Sequence, residues 1–209
     1  MSFRNAVTLF AGALALAAGT ALAQLTPGKE YGILNPAQPT EGGGKVEVTE
    51  FFWYGCGHCY TLEPHLEKWA ASAPKDVVFR RVPAIPSESW AQTAVIFYAL
   101  EAMGELDKYH RKVFDAIHKD NVNLNNRRFR DEWLARQGVN LAKFLEVEKS
   151  FSVVTKLNRA KQLTAAYKVD GVPMLFVNGK YVTSSTHAGG DPSKVMAIVD
   201  QLIAMARGR

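Results

Sequence analysis

The chain has 209 residues, 47% of them hydrophobic, with 25 Lys and Arg against 20 Asp and Glu and only two cysteines. A net charge of +5 is too mild to imply a nucleic-acid partner, and the densest basic run, Arg127-Arg128-Phe129-Arg130, is followed at once by Asp131-Glu132, as a solvated helix start would be. Two cysteines exclude a disulfide-stapled scaffold, and the absence of a phosphate loop, a dinucleotide fingerprint and a Ser-His-Asp order leaves other enzyme classes without a foothold.

The first residues read as an export signal. Arg4 supplies a positive start, Ala6 to Ala18 is apolar and rich in Ala and Leu, and Ala21-Leu22-Ala23 is a small-x-small cleavage site. Residues 1–23 are therefore expected to be a secretory signal peptide, removed from the working protein. An uncleaved anchor is the alternative, and the cleavage motif with the Pro- and Gly-containing segment after it disfavours that. No other segment is long and apolar enough to cross a bilayer. The rest of the chain then works where disulfides persist.

From residue 24 to 44 the sequence is an irregular lead-in, with one short edge strand near Tyr31 to Leu34. Lys45 to Trp53 is a strand that becomes fully apolar towards its end, as a central strand would. A helix from about Cys56 to Ala73 follows, with Leu62, Leu66 and Trp69 on one face, and then a second strand over Val77 to Val82. Strand, helix, strand is a βαβ unit with a parallel pair.

From about Ser87 to Lys168 the period becomes helical. Trp90, Ala94, Phe97 and Tyr98 form one stripe, and Tyr109, Val113, Phe114 and Ile117 another. Phe129 with Trp133, and Leu141 with Phe144 and Leu145, form two shorter ones. About five helices are expected, with Gly138 and Asn140 as stop and start signals between two of them, and a long last helix carrying Val153, Leu157, Ala160 and Tyr167. The segment is long enough to form a small helical core of its own. Beyond it, Pro173 to Val177 and Lys180 to Thr183 flank the hairpin dipeptide Asn178-Gly179, and Asp191-Pro192 caps a final helix to about Ala206. The fold class is α/β, with the division 1–23 signal peptide, 24–86 first part of the core, 87–168 inserted helical domain and 169–209 second part of the core.

Both cysteines lie in Cys56-Gly57-His58-Cys59, where the strand gives way to the helix. A sulfur at a helix N-terminus is favoured as thiolate by unpaired N–H groups and the helix dipole. A disulfide there closes so short a loop that it removes little unfolded-state entropy, so function explains the pair better than stability does. His58 can add a positive charge or a hydrogen bond to that thiolate. A metal site would need more ligands than Cys56, Cys59 and His58 or His65 can bring together within one helix turn, so no metal and no cofactor is expected.

A CxxC between strand and helix, Pro64 five residues after Cys59, and Gly171-Val172-Pro173 ahead of an Asn-Gly hairpin resemble the thioredoxin fold. With the helical insertion and the export signal, nearly all of residues 24–209 resembles the DsbA family of bacterial periplasmic thiol:disulfide oxidoreductases. The resemblance implies a thioredoxin-like fold with an inserted all-helical module, and a redox-active Cys56-Cys59 disulfide donated to exported proteins through a mixed disulfide on Cys56. It also implies a cis bond between Val172 and Pro173 packed beside the disulfide, leaving backbone groups free for an extended substrate segment. Glu50, costly in an apolar strand, is implied to be a buried acid beneath Cys59 that relays its proton, a strand-edge salt bridge being the plain alternative. The implied partners are exported proteins with reduced cysteines and a quinone-linked membrane reoxidant of the DsbB type.

Gly57-His58 departs from the Pro-His commoner in this family and is familiar from protein disulfide isomerases, which points to a less oxidising couple than the strongest members have. An isomerase or reductase is thus the second reading, and a metal-binding protein the third. Gln24 to Gly55 is too short for an N-terminal dimerisation domain, so a monomer is expected.

Overall fold

A computed structural model describes residues 25–208; the expected signal peptide lies outside them. Twelve elements follow one another among the described residues: β1 (Gly32–Ile33), β2 (Val46–Phe52), α1 (Gly57–Ala71), β3 (Val77–Pro83), α2 (Glu88–Ala102), α3 (Leu106–His118), α4 (Arg127–Arg136), α5 (Leu141–Val147), α6 (Phe151–Ala166), β4 (Met174–Val177), β5 (Tyr181–Ser184) and α7 (Pro192–Ala206). The strands form one sheet in the order β1-β5-β4-β2-β3. β2 pairs parallel with β3 and antiparallel with β4, and this flanking on both edges accounts for its nearly unbroken burial. Five helices, α2 to α6, intervene between β3 and β4, as the change of period implies.

Side-chain caps open four helices, Asn140 and Asp191 where the sequence predicts them and Asn126 and Ser150 in addition. The side chains of Asn126, Asn140, Ser150 and Asp191 accept from backbone N–H groups in the first turns of α4, α5, α6 and α7. Asn178 and Gly179 both have positive φ, 53° and 64°, which a tight β4–β5 hairpin requires. A Cβ at Gly179 would also run into the Gln38 carbonyl, and Gln38 N–H donates to the Gly179 oxygen at 2.9 Å, so this turn clamps the lead-in segment.

Two apolar clusters cover the sheet. Leu62, Leu66 and Trp69 of α1 pack with Val195, Val199 and Leu202 of α7 against Val48, Leu175 and Val177, and Trp69 Nε1 donates to Asp200 Oδ1 at 2.8 Å. The other cluster runs without a break from Phe51, Phe52 and Phe176 of the sheet to Phe97, Tyr109, Phe114 and Trp133 of the helices. The inserted helices therefore share a core with the sheet instead of building a separate one. Phe52 is the pivot, its ring packing on Tyr54, Phe97, His110 and Phe114.

Helix α4 departs from its expected stripe. Phe129 is 45% exposed, because the buried face runs through Arg130, Trp133 and Leu134. Arg130 is not part of a solvated helix start: it is buried over the Phe144 ring, with Asp131 at 2.7 Å and Glu148 at 2.9 Å taking up its charge. A hydrophobic count cannot anticipate a guanidinium spending its apolar stem on a core position.

Candidate active site

Strand β2 ends at Phe52, and Trp53-Tyr54-Gly55 turns the chain into α1. A Cβ at Gly55 would collide with the Trp53 indole, which is stacked on Trp90 with ring centroids 4.2 Å apart. Glycine is thus required for the chain to pass beneath that pair. Cys56 then takes the cap position of α1 in extended conformation, and its Sγ accepts from Cys59 N–H at 3.4 Å. The two thiols are free, Cys56 partly exposed and Cys59 fully buried.

The two sulfurs are held at opposite ends of the thiol range. Cys56 is lowered to about 6 by the hydrogen bond from the Cys59 side chain, against an opposing effect of burial, with help from the Cys59 and His58 N–H groups and the His58 charge. Cys59 is raised well above the ordinary value by burial first, then by its hydrogen bond and charge interaction with Cys56 and by the charge of Glu50. One sulfur is a thiolate at neutral pH and the other a thiol.

Gly57 and His58 are exposed at the first turn of α1. The Val172–Pro173 bond is cis, and the loop it belongs to brings the Val172 carbonyl to 3.3 Å from Cys56 Sγ. His58, Val172, Pro173, Met174, Ser184 and His187 line a cleft of about 420 Å³ beside that loop. A hollow of about 470 Å³ along β3 involves neither cysteine, and Arg80, Lys156 and Arg159 on its walls are paired with Glu41 and Glu101. Among the described residues no group of three or more His, Cys, Asp or Glu could hold a metal ion.

Glu50 is completely buried in the middle of the sheet, so it is not a strand-edge ion-pair residue. It shares the face of Val48, towards α1, and its register partners are Arg81 on β3 and Leu175 on β4. Neither carboxyl oxygen has a hydrogen-bond partner; Arg81 Nε is 3.5 Å away. Burial, the nearby Glu63 and Cys56 push its pKa well above the carboxylate range, with Arg81 opposing.

Arg81, Glu63 and His110 gather around it, and no motif names any of them. Glu63, four residues after Cys59 on the apolar face of α1, is also fully buried and accepts from Arg81 Nη2. His110 of α3 places Nε2 at 3.3 Å from the same Glu63 oxygen and Nδ1 at 2.7 Å from Tyr54 Oη. Burial pushes Glu63 up, but the His110 hydrogen bond and charge, with those of Arg81, outweigh it and leave it lowered. A Glu one helical turn past Cys59, in the Leu62–Leu66 stripe, was the one available signal.

Comparison with known proteins fits this geometry. The model of the DSBA-like thioredoxin domain family matches residues 47–197. The thiol:disulfide interchange protein DsbA of Azotobacter vinelandii is 41% identical over 204 residues, covering 95% of each chain, and that of Bordetella parapertussis is 42% identical over 203 residues, covering 96% of this chain and 97% of the relative. The crystal structure of Pseudomonas aeruginosa DsbA superposes with a TM-score of 0.83 at 40% identity, covering 88% of this chain and 95% of that one; the oxidoreductase DsbA from Xylella fastidiosa gives 0.77 at 28%, covering 86% and 96%. Fold, identity and coverage agree: the chain belongs to the DsbA family of thiol:disulfide oxidoreductases.

Proposed function

We propose that this protein is a periplasmic dithiol oxidase, exported by residues 1–23 and working as a monomer, which donates the Cys56–Cys59 disulfide to newly exported proteins. A substrate thiolate attacks Cys56 Sγ; the Cys56–Cys59 bond breaks and Cys59 leaves with the electron pair. Cys59 takes up a proton, and the mixed disulfide on Cys56 remains. A second substrate thiolate then attacks the substrate sulfur of that bond, and Cys56 leaves as thiolate. The substrate has lost two electrons, and the reduced pair returns them to a quinone-linked membrane partner of the DsbB type.

The observation that carries this reading is the opposite displacement of the two thiols. A sulfur held near 6 is a good leaving group in the second step, and its stability as thiolate favours the reduced enzyme, which makes the disulfide a good oxidant. The ultraviolet absorbance of thiolate in the reduced protein is expected to rise with an inflection at about pH 6, with Cys59 silent through the neutral range. Replacing His58 by Ala moves the inflection up. An inflection near the ordinary thiol value of about 8.5 overturns the reading.

Val172 and Pro173 form the second wall of the site. With the Val172 carbonyl beside Cys56 Sγ, an extended substrate segment laid along this loop presents its cysteine to the exposed side of Cys56. Glu50 supplies the proton relay: burial raises its pKa well above the ordinary carboxylate value, and it is close enough for its charge to act on Cys59, with which it exchanges a proton. Glu50→Gln keeps the shape and removes the exchangeable acid, so Cys59 deprotonation slows by roughly tenfold or more. An unchanged rate removes the relay. The Gly57-His58 dipeptide favours an isomerase or reductase as the second reading, and the redox potential separates it from the first.

A further inference from the structure

Beneath the cysteines, two buried carboxylates face one guanidinium. Glu50 and Glu63 are each 0% exposed, and Arg81 lies between them. Full ionisation of both leaves one buried negative charge without a counter-ion, which desolvation strongly disfavours. A proton on one carboxyl is therefore favoured, and the geometry decides which. Arg81 gives its hydrogen bond to Glu63 through Nη2, whereas its Nε, 3.5 Å from Glu50, makes none. The asymmetry begins outside this trio, because Glu63 has a second polar group close by that favours its anion, whereas Glu63 and Cys56, the other groups acting on Glu50, disfavour its charge.

That neighbour is His110, and it arrives from the inserted helices. Its imidazole is 4% exposed, wedged among Phe52, Phe97 and Phe114. Nδ1 lies 2.7 Å from Tyr54 Oη, which can donate to it; in that tautomer the ring proton is on Nε2, 3.3 Å from Glu63 Oε1, a close polar contact short of a well-formed hydrogen bond. Burial lowers the pKa of the ring, with Glu63 opposing, which favours the neutral imidazole. The charged or titratable groups facing this cluster are Arg81 from β3, Glu63, Glu67 and the two cysteines from α1 and its cap, and Tyr54 from the turn before it.

We infer that His110 is a positioning residue: by setting Nε2 beside Glu63 Oε1 it favours that carboxylate as the anion paired with Arg81, and so leaves Glu50 as the carboxyl that keeps the proton beneath the cysteines. Tyr54 sets the tautomer, and the chain Tyr54–His110–Glu63–Arg81–Glu50 links the helical insertion to the redox site. This assignment rests on Glu50 being the proton relay for Cys59, which it deepens by naming what keeps Glu50 protonated.

The sign follows from the pairing. Without the imidazole donor, Glu63 is a poorer anion and takes a proton more readily; Arg81 then turns its charge to Glu50, which ionises at lower pH. In the full reduced protein, the infrared band of the protonated Glu50 carboxyl, identified by its loss in Glu50→Gln, is followed against pH. His110→Leu is expected to shift the Glu50 titration down by about one pH unit or more. His110→Gln, whose amide can donate from a similar position, restores it towards the starting value. Tyr54→Phe, which removes one oxygen and frees the tautomer, shifts it in the same downward direction and serves if His110→Leu does not fold.

A folded His110→Leu protein with an unmoved Glu50 band overturns the inference, as does His110→Gln behaving like His110→Leu, or an unmoved band in Tyr54→Phe. A purely structural role predicts changes in melting without movement of this band. Failure of the relay is read separately: if Glu50→Gln leaves Cys59 deprotonation unchanged while His110→Leu still moves Glu50, the relay falls and the role of His110 stands.

Discussion

Replacing Cys56 by Ser abolishes dithiol oxidation, whereas replacing Cys59 by Ala arrests the reaction halfway. The difference follows from where the two sulfurs sit. Cys56 is the partly exposed cap of α1, with the Val172 carbonyl at 3.3 Å, and Cys59 is fully buried one turn inside. A substrate thiolate reaches only the first. Without it the covalent step has no other sulfur to use, and turnover falls by on the order of 10³-fold or more, to the uncatalysed rate. With Cys59 absent, exchange with an already oxidised substrate still places that substrate on Cys56, but no internal thiol competes to release it, so mixed disulfides accumulate. Non-reducing electrophoresis of cells carrying each variant distinguishes them: adducts with Cys59→Ala and none with Cys56→Ser. Adducts formed through Cys59 in the Cys56→Ser protein contradict the assignment. The identity of the captured chains also tells whether exported proteins in general or a few dedicated ones are the substrates.

Most of the route to this site is legible in the sequence because its signals are local. The apolar strand running into Cys56, the Asn140 cap of α5, and the Asn178-Gly179 turn each act over a few residues. The CxxC with the distant Val172-Pro173 completes the constellation, and the described fold brings them within hydrogen-bonding distance. Glu50 stands out as a charge in an apolar strand.

The remainder depends on relations that no local pattern encodes. Arg81 faces Glu50 only through the parallel β2–β3 register, and His110 reaches Glu63 only after α3 has folded back onto α1. His110 lies in a stretch that reads simply as Tyr109, Val113 and Phe114 turning inward. The continuous core from Phe52 to Phe114 hides the same fact: an insertion in sequence is not a separate body in space. Arg130 and Phe129 exchange their expected places because Glu148 and the Phe144 ring, both beyond α4, receive the guanidinium. In each case a polar group is buried because a partner far away in sequence meets it, which hydrophobic periodicity does not record.

The strength of the oxidant is where the two readings of the Gly57-His58 dipeptide part. A thiolate pKa of about 6 in place of about 8.5 stabilises the reduced form roughly tenfold at neutral pH, or about 30 mV for a two-electron couple. The same ionisation sets the proton count. Below pH 6 the reduced pair carries two protons; above it, with Cys59 still a thiol, it carries one.

The most direct test of the dithiol-oxidase account is an equilibrium titration of the Cys56–Cys59 couple against a thiol–disulfide buffer, repeated across pH. The account predicts a potential well above the roughly −270 mV of thioredoxin, falling by about 60 mV per pH unit below a break near pH 6 and by about 30 mV per unit above it. A potential at or below that of thioredoxin, or a single steep slope through the neutral range, contradicts it.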